Sequence, residues 1–263
     1  MTGTTRFALA PDGARIAWRS DGPADAPAVF FCTMATAGFR VWDAVVEGLS
    51  DRWLLIRHDR RGEGESDAGS LESHSFTSYA RDALAVLAAA GRDAAVVCGM
   101  AFGARVALRL ALDEPSHVGG LILFDATGGP PAPEAERREM GAEALRLRQA
   151  AGLPRAPQDP SWFDRRDPAG AGLARLALDG QPAWTPGLGR IAVPTLVACG
   201  EQDPNFPGAR RIAREIPGAA FTPMPMTGHA SILQRPDLVL RLIRDFLEDQ
   251  QAVASATADR GLR

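Results

Sequence analysis

Two glycines four positions apart flank an alanine in residues 98–104 (CGMAFGA), between an apolar run and a helical pattern. This is the spacing of the G-x-S-x-G turn, in which a strand passes sharply into a helix and presents a nucleophile. A side chain at either glycine would clash in so tight a turn. The central residue here is Ala101, whose methyl group cannot attack a carbonyl. The sequence therefore predicts a nucleophile turn at Ala101 that lacks its nucleophile.

An aspartate and a histidine follow in the order that would complete such a site. Asp203 comes just after an apolar run, and His229 precedes the last helical pattern. A carboxylate that accepts the Nδ1–H of a histidine fixes its tautomer and leaves Nε2 free as a base. Asp125, which follows another apolar run, is an alternative acid, but the turn around Asp203 favours the latter. We predict that Nδ1 of His229 bonds to Asp203 and that Nε2 lies near the Cβ of Ala101.

The other three histidines are predicted to have no part in this chemistry. His58 ends an apolar run and reads as a core histidine with satisfied hydrogen bonds. His74 precedes a helical pattern and is expected to be exposed, while His117 lies in a turn before a strand. No cluster of histidine, aspartate or glutamate has the spacing of metal ligands, and no G-x-G-x-x-G follows a strand, so we expect neither a metal nor a cofactor.

The elements that must position these residues alternate between strands and helices. Alternation implies crossover connections and a mostly parallel, twisted sheet with helices on both faces, which is an α/β fold. The apolar strands fit burial on both faces. Residues 6–10 and 14–20 predict a hairpin around a Pro-Asp-Gly turn. The predicted strands that follow are 28–32, 53–57, 94–98, 121–124 and 193–199, and the predicted helices are 76–90 (with Ser75 as N-cap), 101–112 and 238–247.

Residues 128–190 interrupt this alternation with a Pro-rich, Arg- and Glu-rich helical stretch. We predict a helical cap over the carboxyl edge of the sheet, where ligand sites of α/β folds lie. The core is then residues 1–127 and 191–249, and residues 250–263 are predicted to be a flexible tail. Apolar cap residues are expected to line a substrate pocket, and these are Trp162, Phe163, Leu173, Leu176 and Trp184. This segment has nine arginines and eight acidic residues, so its charges nearly balance and favour solvated cap helices over an anion site. A single arginine could still bind a carboxylate.

Composition excludes several classes of protein. All 29 basic residues among the 263 are arginines, so Schiff-base and pyridoxal-phosphate enzymes and P-loop NTPases, which need a lysine, are excluded. The net charge of −3 argues against a nucleic-acid partner. No apolar run approaches the ~18 residues of a membrane span, and residues 1–6 lack the apolar core of a signal peptide. Cys32, Cys98 and Cys199 lie in separate apolar runs, typical of buried thiols in a cytoplasmic protein.

These motifs together resemble the α/β-hydrolase superfamily over the whole chain apart from the cap and the tail. Residues 59–67 (DRRGEGESD) match the D-x-R-G-x-G-x-S-D loop after its fourth strand, and residues 194–203 match its acid-bearing strand and turn. Residues 33–42 resemble the oxyanion loop of 3-oxoadipate enol-lactonases and related small esterases. The resemblance implies backbone oxyanion donors at Ala35 and Phe102 and a small ester or lactone substrate. Thr33 and Met34 of this loop are expected to contact the substrate.

Three explanations of Ala101 stay open on the sequence. The first is an engineered Ser→Ala substitution in an ester or lactone hydrolase, which would be inactive by the serine mechanism. The second is a natural enzyme that uses Asp203 and His229 as a general base without a nucleophile. The third is a ligand-binding protein on a hydrolase scaffold. Cys98 is too deep in its strand, and Thr33 has no base beside it, so neither replaces the serine.

Overall fold

An eight-stranded sheet organises the chain, with the strands in the order β1-β2-β4-β3-β5-β6-β7-β8. The computed structural model describes residues 4–130, 132–165, 167–170, 172–179, 181–182 and 185–261. The strands are β1 (Arg6–Leu9), β2 (Arg15–Asp21), β3 (Ala28–Cys32), β4 (Leu54–His58), β5 (Ala95–Met100), β6 (Val118–Phe124), β7 (Thr195–Gln202) and β8 (Ala220–Gly228). The predicted hairpin is confirmed: β1 and β2 pair antiparallel, β2 pairs antiparallel with β4, and all other pairings are parallel.

The described residues include six helices, and the sheet is covered on both faces. They are α1 (Asp43–Leu49), α2 (Phe76–Ala89), α3 (Phe102–Asp113), α4 (Glu134–Ala150), α5 (Phe206–Glu215) and α6 (Pro236–Gly261). Alternate residues of β3 show the two-sided burial: Phe30 faces the core under α2, α3 and α5, while Val29 and Phe31 face the core under α1 and α6. Because both faces are covered, β3, β5 and β6 have no alternating polar residues, whereas β4 ends in the buried Arg57 and His58. The α/β-hydrolase architecture expected from the sequence is present.

One strand was not predicted. Residues 220–228 form β8 at the edge of the sheet, beside β7. Pro223 and Pro225 interrupt the apolar pattern, and proline has no N–H to donate to a neighbouring strand. An edge strand tolerates this, because one side of it needs no partner. β8 matters for function because His229 follows it directly.

The last helix is longer than the sequence predicted. The pattern indicated 238–247, whereas α6 begins at Pro236 and continues to Gly261, so the predicted tail from residue 250 is helical as far as that glycine. Alanines at 252, 254, 256 and 258 give this stretch a high helix propensity, although its sequence lacks the periodic apolar residues that predict a helix. None of the helices among the described residues is both long and apolar enough to pass through a membrane.

The segment 128–190 contains α4 and four short 3₁₀ turns, and its described residues include no strand. It contacts the rest of the chain through specific hydrogen bonds. Nη1 of Arg148 donates to the carbonyl of Met226 at 2.6 Å and to Oε1 of Gln234 at 2.8 Å. Nε of Arg165 lies 2.6 Å from Oε2 of Glu63. These contacts hold the segment over the ends of β4 and β8, the edge at which the candidate site lies.

Candidate active site

The turn between β5 and α3 holds Ala101 in a strained conformation, with φ 52° and ψ −110°. Non-glycine residues rarely adopt positive φ, and such strain, about 1–3 kcal/mol, persists only where the surroundings enforce it. Its N–H donates to the carbonyl of Phe124 at 2.8 Å. A Cβ on Gly103 would overlap the backbone of Cys32, and a Cβ on Gly99 would overlap that of Gly103. Close backbone packing therefore fixes the turn, as the glycine spacing predicted.

The histidine and one aspartate form a pair beside this turn. Nδ1 of His229 lies 2.9 Å from Oδ2 of Asp203, a fully buried carboxylate whose Oδ1 accepts the N–H of Asn205 at 2.9 Å. Burial alone would lower the pKa of His229. The hydrogen bond and charge of Asp203 outweigh it, and the pKa is raised above its ordinary value. A raised pKa makes the imidazole a stronger base, and the bond at Nδ1 leaves Nε2 as the free nitrogen.

The rival acid, Asp125, lies buried next to the pair but has other partners. Its Oδ2 accepts the N–H of Ser231 at 2.6 Å, and its Oδ1 accepts that of Gly200 at 3.4 Å. Burial and the neighbouring charge of Asp203 raise the pKa of this carboxyl. Asn205 links the two acids, because its Nδ2 donates to the carbonyl of Asp125 at 3.0 Å. The geometry thus favours Asp203 as the partner of the imidazole.

A cavity of about 840 Å³ brings the predicted residues together. Ala101, His229, Met34, Ala35 and Phe102 all line it. Its volume is within the range of about 300–1,000 Å³ that is usual for small-molecule sites. Part of the wall comes from the segment 128–190, and the residues it contributes are Ala132, Pro133, Glu134, Arg137, Phe163, Arg175, Leu178 and Asp179.

The predicted oxyanion donors, Ala35 and Phe102, line the same cavity as Ala101. Phe102 is the first residue of α3, so its N–H has no carbonyl of a preceding helical turn to bond. Ala35 lies in the loop after β3. Oε1 of Glu63 accepts the N–H of Thr36 at 3.1 Å, and Oδ1 of Asp59 accepts that of Phe39 at 2.7 Å. Buried carboxylates from the loop after β4 thereby fix the loop that carries Ala35.

The predicted substrate contacts divide into two groups. Met34 lines the cavity, whereas Thr33 is buried and its Oγ1 accepts the indole N–H of Trp42 at 3.1 Å. Trp162 packs against the core, and its carbonyl accepts the N–H of Gly38 at 2.7 Å. The adjacent Phe163 reaches the cavity wall instead. Trp184 lies outside the described residues.

The three remaining histidines lie away from the cavity wall. His58 is buried, and its Nδ1 lies 3.2 Å from the carbonyl of Phe31, as expected for a core residue. The expectation that His74 is exposed was wrong. Its ring is buried, and its Nδ1 lies 2.8 Å from the hydroxyl of Tyr79. The polar residues around His74 in the sequence gave no sign of this partner, which lies five residues further along the chain.

Sequence reasoning missed several residues of the cavity wall, and two of them, Arg105 and Asn205, are polar groups near the reacting centre. Arg105, on the first turns of α3, lines the cavity, as does Asn205 beside the acid pair. The signal for Arg105 was a single charged residue within the small and apolar stretch 103–108, on the helix that starts at Ala101. Asn205 follows the Asp-Pro turn and had no distinguishing pattern.

One group of side chains has atoms close enough to share a metal ion. Within the described part of the chain, Asp125, Cys199 and Asp203 each offer a ligand atom, all within 4.8 Å of one another. Both carboxylates are already engaged, with Ser231 and His229 respectively. Burial raises the pKa of the Cys199 thiol, which disfavours the thiolate that binds metals. These residues therefore fit a buried hydrogen-bond network better than a metal site.

Comparison with known proteins agrees with this fold and site. The sequence pattern of the Alpha/beta hydrolase family matches residues 14–242, so the chain belongs to that family. It is 28% identical over 255 residues to "Putative carbamate hydrolase RutD" of Variovorax paradoxus, which covers 86% of this chain and 93% of that protein. It is 23% identical over 260 residues to 3-oxoadipate enol-lactonase 1 of Acinetobacter baylyi. That alignment covers 91% of this chain and 95% of the lactonase.

A solved structure of the enol-lactonase from Burkholderia xenovorans LB400 superimposes with a TM-score of 0.75, at 22% identity, over 92% of this chain and all of that one. At this identity the similarity concerns the fold alone. It establishes the α/β-hydrolase fold, while the family match and the relatives named as hydrolases indicate a hydrolase-type enzyme.

Proposed function

We propose that the site acts on small esters or lactones, with Ala101 in the place of the nucleophilic serine. The observation that carries this proposal is that His229, hydrogen-bonded to the buried Asp203, lines the same cavity as the strained turn at Ala101. The similarity to an enol-lactonase and to a named carbamate hydrolase supports a substrate with an acyl carbon bonded to oxygen or nitrogen. Without a hydroxyl at position 101, no acyl-enzyme forms.

Water is then the nucleophile. Nε2 of His229 takes a proton from a water molecule as its oxygen attacks the carbonyl carbon. The N–H groups of Ala35 and Phe102 stabilise the oxyanion that develops. When the tetrahedral intermediate collapses, the leaving alkoxide takes the proton back from the imidazolium, so ester and water give acid and alcohol. Direct attack lacks the entropic advantage of an enzyme-bound nucleophile, so we expect turnover far below that of a serine enzyme.

The segment 128–190 is proposed to act as the cap of this site, and residues 1–127 and 191–249 as the core. The support is that this segment supplies much of the cavity wall, from Ala132 through Asp179, while the core supplies the base and the turn. Substrate selection then belongs mainly to the cap. Chemistry belongs to the core, where backbone packing fixes the geometry.

A second candidate is an enzyme that needs no nucleophile because the base acts on the substrate itself. The same observation favours it: Asp203 holds His229 with a raised pKa beside an open cavity. A cavity that only bound a ligand would gain nothing from an oriented base. The two candidates differ in whether a hydroxyl at position 101 creates activity.

The test is to restore the hydroxyl with Ala101→Ser and to assay 4-nitrophenyl esters and small lactones. Loss of a triad serine costs ~10⁶ in kcat, while the oxyanion hole and binding alone leave ~10³–10⁴ over water. We expect the variant to gain several orders of magnitude and to show an acyl-enzyme burst. The double variant Ala101→Ser, His229→Ala is the control and should lose that gain.

Other results would redirect the proposal. A variant with no activity on any ester or lactone would overturn ester hydrolysis and favour the second candidate. In that case His229→Ala in the unaltered chain should abolish the chain's own reaction. Ligand-dependent melting without turnover in either form would indicate a ligand-binding protein.

A further inference from the structure

Arg105 is a buried cation in the wall of the cavity, and none of the described residues supplies it with a counterion. The residue is only 9% exposed, and its Nη2 has no hydrogen-bond partner within the described part of the chain. No carboxylate of those residues forms an ion pair with its guanidinium, whereas the buried Arg57 and Arg61 are each paired with aspartates. Burial lowers the pKa of Arg105, because removal from water disfavours the charged guanidinium. Buried charges are normally paired, so an unpaired one is expensive to keep.

The position of Arg105 directs it towards the reacting centre. It lies four residues after Ala101 and three after Phe102, and all three line the cavity. Residues three and four apart share a helix face, and helical side chains lean towards the N-terminus of their helix. The guanidinium of Arg105 is therefore on the same face of α3 as the turn, beside the helix end whose partial charge is positive.

The other charged residues of the cavity wall lie on the cap segment. Arg137 and Arg175 supply two further cations there, and Glu134 and Asp179 supply two anions. Nη1 of Arg137 already donates to the carbonyl of Ala132 at 2.7 Å. Glu134, Arg175 and Asp179 are exposed and solvated, so their charges act weakly on a bound molecule. Arg105 is the buried cation among these wall residues, and so the one whose charge is least screened.

We propose that Arg105 binds a carboxylate on the substrate, so that the molecule hydrolysed is an ester or lactone bearing a second, ionised carboxyl group. The identification of that molecule as an ester or lactone rests on the proposed function; the anion site does not. The planar guanidinium can donate two parallel hydrogen bonds to a carboxylate. This would satisfy Nη2 and neutralise the buried charge, while the acyl group extends towards Ala101 and His229.

A purely structural role is the competing explanation. The guanidinium carbon of Arg105 lies 5.8 Å from the ring centroid of Phe76, at the outer limit of a cation–π contact. If that contact were the reason for Arg105, removal of the charge would destabilise the protein. If the cation awaits a ligand, removal of an uncompensated buried charge should stabilise the free protein, as substitutions at functional sites often do.

The test compares monobenzyl glutarate with its primary amide, which has the same shape without the charge. Calorimetric titration of the unaltered chain should show the carboxylate binding about 10- to 100-fold more tightly than the amide, as expected for a charge-assisted hydrogen bond in a cavity. In Arg105→Gln we expect this preference to fall to about threefold or less. Arg105→Lys keeps the charge but not the planar donors, and should retain part of the preference for the carboxylate.

Arg109→Gln is the matched control. It removes one positive charge from the same helix, but Arg109 pairs with Asp113 and does not line the cavity. The control should keep the full carboxylate preference. Thermal melting of the ligand-free proteins gives a second readout: Arg105→Gln should melt at or above the temperature of the unaltered chain, and a lower melting temperature would support the structural role.

Equal affinity of the unaltered chain for the acid and the amide would overturn the inference. So would an unchanged preference in Arg105→Gln. These results are independent of the proposed function. If Ala101→Ser hydrolyses neutral and anionic esters equally well, only the carboxylate site fails. If it hydrolyses none, yet the carboxylate preference depends on Arg105, only the ester or lactone assignment fails.

Discussion

The backbone N–H of Ser231 donates to Oδ2 of Asp125 at 2.6 Å, two residues after the candidate base. Asp125 therefore holds the chain that follows His229, while Asp203 holds the imidazole itself. Two buried carboxylates at one sheet edge thus have separate structural tasks. This division explains how both can lie beside one histidine without competing for its Nδ1.

The pH dependence of His229 should distinguish these two acids. In Asp203→Asn the hydrogen-bond acceptor and charge that raise the pKa of His229 are weakened, while burial, which lowers it, remains. The pKa should fall, so the acid limb of kcat/KM in the Ala101→Ser background moves to lower pH. The rate itself should fall by ~10⁴, because the imidazole loses its fixed tautomer. Direct titration of His229 by NMR checks the shift without any activity.

Asp125→Asn is the matched variant for this comparison. It keeps an oxygen for the N–H of Ser231, gives up the long hydrogen bond from the N–H of Gly200, and removes a charge that raises the pKa of His229 less than Asp203 does. We expect the pKa of His229 to move in the same direction but by less, with the rate within ~10-fold of the parent. An Asp125→Asn variant with the larger shift would reverse the assignment of the acid.

Substitution of Gly103, the second glycine of the turn at Ala101, should be severely destabilising. In Gly103→Ala the new Cβ would overlap the carbonyl groups of Cys32 and Thr33, which are backbone atoms at the end of β3. We expect a loss of about 3 kcal/mol or more in the free energy of unfolding, measured by urea denaturation. Gly141→Ala in α4 is the control: no neighbouring atom lies within 4 Å of its Cβ, and alanine should stabilise the helix by about 0.5–1 kcal/mol.

Removal of the Asp59 carboxylate should release the loop that carries Ala35. Asp59 accepts the N–H of Phe39 at 2.7 Å and that of Glu65 at 2.9 Å, and Asp59→Ala leaves both without this partner. At about 1–3 kcal/mol for each unsatisfied buried donor, we expect a loss of about 3 kcal/mol in unfolding free energy. Glu248→Ala, which breaks an exposed pair with Arg52, should cost less than about 1 kcal/mol. Equal losses of unfolding free energy in the two variants would contradict the conclusion that Asp59 fixes the loop that carries Ala35.

The ion pair between Arg165 and Glu63 should hold the segment 128–190 against the core. Glu63 is 2% exposed, so Arg165→Ala removes one partner of a buried carboxylate, whose other partners among the described residues are Arg60 and the N–H of Thr36. Hydrogen exchange should accelerate around residues 160–165, and KM should rise more than kcat falls. Arg138→Ala removes an exposed pair with Glu134 and should leave exchange unchanged. Unchanged exchange in Arg165→Ala as well would show that other contacts hold the segment.

The parts predictable from sequence are those whose chemistry is local. The turn at residues 98–104 was recognisable because its two glycines are required by the backbone itself, wherever the rest of the chain lies. The Asp203–His229 pair was recognisable by order along the chain, since parallel strands bring their carboxyl ends to one edge. Both inferences needed no knowledge of side-chain packing.

The parts that were missed depend on distant neighbours. β8 was hidden by Pro223 and Pro225, which are acceptable only because the strand lies at an edge. The burial of His74 depends on its pairing with Tyr79, and the burial of Arg105 on the cavity wall around it. Periodicity describes one element at a time, so it cannot show what a folded neighbour will cover.

The conformation at Ala101 has a consequence for how this site could change over time. Gly99, Gly103 and the hydrogen bond to Phe124 maintain the turn, and none of them involves the side chain at position 101. The fold is therefore indifferent to whether that side chain is a methyl or a hydroxymethyl group. Every alanine codon is a single base away from a serine codon. One point mutation therefore exchanges the methyl and hydroxymethyl groups at position 101, and the contacts that maintain the turn need no compensating change.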